Sequence, residues 1–313
     1  MTAVMTLRTE EQVKDMLNTP LEELIRRADS VREQFTGRDL ELCSILSARS
    51  GRCSEDCSFC AQSCFHSSES AEYPLVDPDR ITEAAGRAQQ ARAGRFGIVT
   101  SGNRLSEDEV DIIADAVSTI TSSCSIQVCG SLGALTRSQI YRLKSAGMTR
   151  YHHNIETSRR YYPHVVTTHD YDQRLDTISS AHEAGMDVCS GGIIGMGENW
   201  QDRIDMAVTL QELGVVSVPL NILIPLKGTP LEDIGPLPPE DIIRTVCLFR
   251  LILKDVTLKL AAGRESALGE KQIRGFEAGA NGMIIGGYLT VNGRPLEEDY
   301  RLIEEIKSLW NGC

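Results

Sequence analysis

No stretch of this sequence is apolar for long enough to cross a bilayer, which takes ~18 consecutive apolar residues. The longest candidate, Val215 to Leu226, is interrupted by Ser217, Pro219, Asn221 and Pro225. Positive charge is also in short supply: 32 basic residues against 44 acidic ones leave a formal net charge of −12. That balance lacks the basic footprint that non-specific nucleic-acid or membrane-surface binding requires, so neither partner is expected. The opening residues, Met-Thr-Ala-Val-Met-Thr-Leu-Arg-Thr-Glu-Glu, hold no apolar core of the kind a secretion signal needs. No low-complexity linker interrupts the chain. These absences together point to a cytoplasmic protein, in a compartment where thiols stay reduced.

Against that background the cysteines stand out. Ten of them occur in 313 residues, and in a reducing compartment they call for a metal or catalytic explanation rather than disulfides. Otherwise the composition, 41% hydrophobic and 24% charged, is that of an ordinary globular protein.

From residue 41 onward, short β-branched or apolar runs alternate with amphipathic helical stretches. Strands are expected at 41–47, 95–100, 125–131, 149–155, 186–193, 216–223, 256–261 and 282–286, with helices at 108–119, 172–184, 200–213 and 241–253 among them. Ser106 with Glu109, and Thr136 with Gln139, fit capping boxes at helix starts. Gly94, Gly147, Gly185, Gly214 and Gly279 each stand between a helical run and the next strand, where a left-handed cap is common. Eight such units suit a (β/α)8 TIM-type barrel spanning residues 39–313, preceded by an N-terminal helical extension within residues 1–38, with two helices over 9–35. An open doubly wound sheet shares the alternation and remains the alternative.

Directly after the first strand lies Cys53-Ser54-Glu55-Asp56-Cys57-Ser58-Phe59-Cys60. Three thiolates at C-x3-C-x2-C spacing can each hold one iron of a [4Fe–4S] cubane and leave the fourth iron open. An open position is the mark of a catalytic metal site. Two plainer readings compete. Cys64 could complete a structural zinc site, although only one C-x2-C knuckle is present, or the cluster could be closed and serve electron transfer. Placement after a barrel strand favours catalysis, because (β/α)8 enzymes build their sites there.

This loop is the motif of radical S-adenosylmethionine (SAM) enzymes, and the wider sequence resembles the biotin synthase family along nearly its whole length. The stretches that carry the likeness are 53–63, His153-Asn154-Ile155-Glu156-Thr157-Ser158, Cys189-Ser190-Gly191-Gly192-Ile193, Lys227-Gly228-Thr229-Pro230-Leu231 and Ala262-Gly263-Arg264-Glu265. The resemblance implies radical sulfur insertion converting dethiobiotin to biotin, with SAM cleaved at the Cys53/Cys57/Cys60 cluster. Alternatives are a related radical SAM reaction on another small molecule and a non-catalytic Fe–S redox protein. A flavodoxin or ferredoxin reductant and a homodimer are expected.

The resemblance further implies an auxiliary Fe–S cluster as sulfur donor, with Cys129, Cys189 and Arg264 at three of its four usual positions. The fourth departs from the family: Gly97 stands where a cysteine is usual. Cys43, on the first strand, is the expected replacement, since alternate strands of a (β/α)8 barrel contribute to one interior layer. A three-cysteine, [4Fe–4S]-type cluster near Arg264 is therefore favoured over a [2Fe–2S] one. Taken singly, each cysteine would pass for a small buried hydrophobe. The resemblance assigns SAM contacts to Phe59, Asn154, Glu156 and Ile193, with Glu156 where the family more often has aspartate. Asn154 and Asn221 match substrate positions, although either might instead satisfy local backbone. Hydrogen-atom abstraction requires no proton shuttle, which leaves His152 and His153 between structural and secondary roles. Cys247 is expected in the core, Cys124 before the third strand, Cys313 at a frayed end, and Cys64 has no assigned chemistry.

Overall fold

A computed structural model of the chain describes residues 10–287 and 295–312; residue 9 of the expected leading helices and Cys313 lie outside them. Two helices lead, α1 (Glu10–Asn18) and α2 (Leu21–Thr36). They sit outside the barrel, where Arg244 donates to the carbonyls of Met16 and Thr19 at 3.3 and 2.8 Å.

Among the described residues nine parallel strands follow: β1 (Glu41–Arg49), β2 (Arg95–Thr100), β3 (Gln127–Ser131), β4 (Arg150–His152), β5 (Asp187–Cys189), β6 (Gly192–Ile194), β7 (Ser217–Ile222), β8 (Thr257–Leu260) and β9 (Gly282–Ile284). The sheet runs β5-β4-β3-β2-β1-β9-β8-β7-β6, and the Cys189–Ser217 pairing of β5 with β7 closes it. β5 and β6 are two halves of one strand, so this is an eight-stranded closed barrel, as expected, and not an open sheet. The interruption falls at Ser190-Gly191. A Cβ on Gly191 would lie 2.0 Å from the Pro219 carbonyl oxygen, and one on Gly192 would lie 2.2 Å from that of Glu156. Only glycine permits these backbones to approach so closely.

The helical layer comprises α3 (Pro78–Gln90), α4 (Glu107–Ser123), α5 (Arg137–Ser145), α6 (Tyr171–Glu183), α7 (Trp200–Glu212), α8 (Pro239–Leu253), α9 (Arg264–Leu268), α10 (Gln272–Glu277) and α11 (Leu296–Asn311). Both expected capping boxes form, Ser106 with Glu109 at α4 and Thr136 with Gln139 at α5. Four of the five glycine stops have positive φ; before Gly94 the left-handed residue is instead Arg92, at φ 61°.

Alternation along the strands decides what faces inward. On β2, Phe96 and Ile98 are fully buried, while Arg95, Gly97 and Val99 line a central cavity. Polar and sulfur-bearing side chains thus enter the barrel at positions a purely structural core would fill with aliphatics.

Candidate active site

The loop after β1 is held by its own backbone. Cys53 N–H donates to Gln62 O at 2.9 Å, Cys64 N–H to Cys53 O at 2.8 Å, and Cys60 N–H to Cys57 O at 2.9 Å. Cys53, Cys57 and Cys60 lie close enough for their charges to interact, and burial raises all three thiols, Cys60 to about 11. Thiolates this costly to form alone suit a bound cation that compensates them. The group they would hold is a [4Fe–4S] cluster: among the described residues no three such side chains converge on a single metal ion, but three neighbouring thiols in one loop, Cys57 buried and Cys53 and Cys60 part-exposed, suit the separate corners of a cubane. Cys64 is exposed.

Phe59, between two of those cysteines, lines the mouth of a cavity of about 340 Å³ together with Asn154, Glu156, Ile193 and Asn221. Both asparagines carry barrel cross-links. Asn154 accepts from Gly191 N–H at 3.1 Å and donates to Glu156 Oε2 at 3.3 Å. Asn221 donates to Gly192 O and accepts from Ala262 N–H, each at 3.1 Å. A side-chain amide has two N–H donors and two acceptor lone pairs, so one donor and one acceptor of each remain for a ligand. Glu156 adopts φ 65°, an uncommon conformation for a non-glycine residue, and burial raises its carboxyl against the opposing charge of Arg174.

Deeper in the same cavity lie Cys43, Cys129 and Cys189, the three cysteines expected there. Each faces a polar neighbour: Lys259 Nζ stands 3.0 Å from Cys43 Sγ, Arg95 Nη1 3.9 Å from Cys129 Sγ, and His152 Nδ1 3.3 Å from Cys189 Sγ. Ser217 Oγ lies 3.4 Å from Cys189 Sγ on its other side. Beneath them, Glu41 pairs with Lys259 at 2.7 Å, Arg150 at 2.9 Å and Arg95 at 3.0 Å. Burial would raise the Glu41 carboxyl, but these three cations hold it down at about 2. Burial likewise opposes ionisation of Cys189, yet Lys259, His152 and Ser217 bring its thiol down to about 6. Cys43 remains at about 12, because burial outweighs Lys259. Asp187 also reaches Arg95 at 4.0 Å and Arg150 at 3.8 Å, so three cations and two carboxylates are gathered beneath these thiols.

Arg264 is not brought into this group. β8 ends at Leu260, Gly263 turns the chain at φ 85°, and Arg264 opens α9. Its guanidinium pairs with Asp299 at 2.7 Å and donates to Ile284 O at 3.2 Å. The residue that the seventh barrel strand, β8, delivers to the cavity is Lys259. At Gly97 a Cβ would lie 3.1 Å from Ile45 Cγ2, so Ile45 already occupies the space above that glycine.

Lys259, Glu41, Arg95, Arg150 and Arg174 are site residues that the sequence motifs do not mark, and His152 joins them beside Cys189. The signal for Lys259 was its inward parity on an otherwise apolar strand; for the other cations, only three-dimensional convergence gives them meaning. His153 is buried beside Tyr151 and does not line the cavity. Cys247 is buried in α8, and Cys124 caps the end of α4.

Comparison with known proteins fits this architecture. Residues 48–210 match the Radical SAM superfamily, and residues 219–307 match the Biotin and Thiamin Synthesis associated domain. The chain is thus a radical SAM enzyme built on a (β/α)8 barrel, of the class that uses SAM and a [4Fe–4S] cluster. It is 45% identical over 287 residues to a biotin synthase of Pelotomaculum thermopropionicum, covering 92% of this chain and 89% of that one. With a biotin synthase of Clostridium botulinum it shares 44% over 300 residues, 96% and 94% of the two chains. The chain belongs to the biotin synthase family. Among solved structures, methylornithine synthase has the same fold, with a TM-score of 0.80 at 18% identity, covering 96% of this chain and 92% of that one. A maturase of the [FeFe]-hydrogenase matches at TM-score 0.79 and 20% identity, over 95% and 72% of the chains.

Proposed function

We propose that this enzyme converts dethiobiotin to biotin, with Cys53, Cys57 and Cys60 holding the SAM-cleaving [4Fe–4S] cluster and Cys43, Cys129 and Cys189 holding an auxiliary cluster of [4Fe–4S] type. The observation that carries the reading is one cavity lined both by Phe59, which stands between Cys57 and Cys60 in the three-thiol loop, and by the three further thiols of Cys43, Cys129 and Cys189. Reduced in place, the first cluster would supply the electron that splits SAM into methionine and a 5′-deoxyadenosyl radical; the second would supply sulfur.

The protein's own part is positioning and exclusion. Phe59 and Ile193 would offer apolar faces to the adenine, and Asn154 and Glu156 would bond the ribose hydroxyls. The unspent amide groups of Asn154 and Asn221 match the N–H and C=O groups of the ureido ring. Lys259, Arg95 and His152 donate toward the inner sulfurs and offset the negative charge of a thiolate-ligated cluster. Hydrogen bonds to the sulfurs and net local charge are the levers that tune such centres. Enclosure in the barrel holds the reacting atoms together and keeps water and stray donors from a reactive radical. A flavodoxin or ferredoxin reductant, a homodimeric assembly, a cytoplasmic location and the division at residue 38 belong to the same reading. Among the described residues no helix is long and apolar enough to cross a membrane.

Anaerobic incubation of the reconstituted enzyme with SAM, reductant and dethiobiotin tests it. Biotin is the expected product. Abundant 5′-deoxyadenosine with dethiobiotin left unconsumed would point to a different small-molecule substrate.

A further inference from the structure

Between Cys53 and Cys57 stand Ser54, Glu55 and Asp56, none of them a proposed cluster ligand or substrate contact. Asp56 fastens the loop to the segment before α6: its carboxylate accepts from the backbone N–H of Thr167 at 2.9 Å and of Thr168 at 3.1 Å, and from the hydroxyl of Thr167. Ser58 N–H adds a bond to Val165 O at 2.9 Å. Loop docking therefore has ample support without Glu55.

Glu55 makes a further connection. Its Oε2 accepts from the Thr168 hydroxyl at 2.6 Å and also lies 2.6 Å from His169 Nδ1, and His169 Nε2 lies 3.0 Å from Arg174 Nη2. A guanidinium can only donate, so Nε2 must accept, the ring proton must sit on Nδ1, and that proton is donated to Glu55. The tautomer is fixed by its two neighbours. Burial and the Arg174 charge hold His169 below the usual imidazole range, in keeping with a neutral ring. Arg174 in turn donates to Asn154 O at 3.0 Å and to the Tyr162 hydroxyl at 2.7 Å, and stands 3.6 Å from Glu156. One chain of contacts thus runs from the cluster loop to the end of β4.

We propose that His169 is a positioning residue that relays the placement of the cluster loop, through Glu55, to Arg174 and hence to Asn154 and Glu156. This rests on the reading that those two residues meet SAM. The relay makes the two halves of the SAM site, one on the loop and one beyond β4, move as a unit. Arg174 bears on both, through its charge on Cys57 and its bond to Asn154.

Two substitutions separate a relay from a mere latch. His169→Asn retains an amide donor near the Nδ1 place but leaves nothing to accept from Arg174. His169→Gln offers an acceptor near the Nε2 place but gives up Glu55. Loss of one such bond is expected to weaken SAM binding about tenfold in each variant, read by equilibrium dialysis against reconstituted protein. Iron content and the reduced-cluster EPR spectrum without SAM should match the wild type, while the SAM-induced change in that spectrum should need correspondingly more SAM. Wild-type SAM affinity in either variant would overturn the relay, as would iron loss in step with SAM binding. Wild-type protein whose spectrum ignores SAM would overturn the underlying reading itself, and the relay with it.

Discussion

Replacing Cys43 with alanine removes one thiol from the base of the cavity and leaves the loop cysteines untouched. The account predicts that Cys43→Ala loses the iron and visible absorption of the auxiliary cluster while still producing 5′-deoxyadenosine from SAM. An unchanged iron count would remove Cys43 from the ligand set. At this scale the sequence was unevenly legible. The C-x3-C-x2-C loop could be read because its members are neighbours in the chain. The interior group draws on β1, β2, β3, β4, β5, β7 and β8, and no local pattern announces that Glu41, Arg95, Arg150 and Lys259 meet. Arg264 illustrates the hazard of motif likeness. Its segment matches the family, but the left-handed turn at Gly263 sends the side chain outward to Asp299, while Lys259, five residues earlier, faces the sulfurs.

Among the elements, α7 ties the helical layer to the site. Asn199 and Asp202 close a capping box at its start, and the same Asp202 carboxylate accepts from Ser158 Oγ at 2.6 Å and from Arg160. Ser158 lies two residues beyond Glu156, so α7 helps hold the end of β4. Burial raises the Asp202 carboxyl, but the bonds from Ser158, the Asp202-to-Asn199 amide contact and Arg160 outweigh it and leave it lowered. A lowered carboxyl contributes stability that is fully present above the unfolded pKa of ~4 and fades as pH falls through the folded value. Asp202→Asn is therefore expected to cost about 2 kcal/mol at pH 7 and to lose less than the wild type on acidification below about pH 4. Urea unfolding at pH 7 and pH 3.5 measures both, and equal acid sensitivity in the two proteins would remove Asp202 from that role. Element order was largely open to sequence reading, because strand–helix alternation and capping boxes are local signals. Ser190-Gly191 was not: the apolar run through residue 193 hides a break in the fifth strand that exists so that Pro219 and Glu156 backbones can pass close by.

For the whole molecule, the barrel's closure brings Phe59 of the three-thiol loop to the same cavity as the three thiols of Cys43, Cys129 and Cys189. The conclusion that this is a SAM-splitting enzyme depends on the loop thiolates leaving one iron free for SAM. The most direct measurement is anaerobic reduction of the reconstituted protein with SAM, quantifying 5′-deoxyadenosine and methionine in the wild type and in Cys57→Ala. The account predicts both products in equal amounts from the wild type and neither above background from the variant. Equal yields from the two proteins, or no cleavage by wild type carrying a full complement of iron, would contradict it.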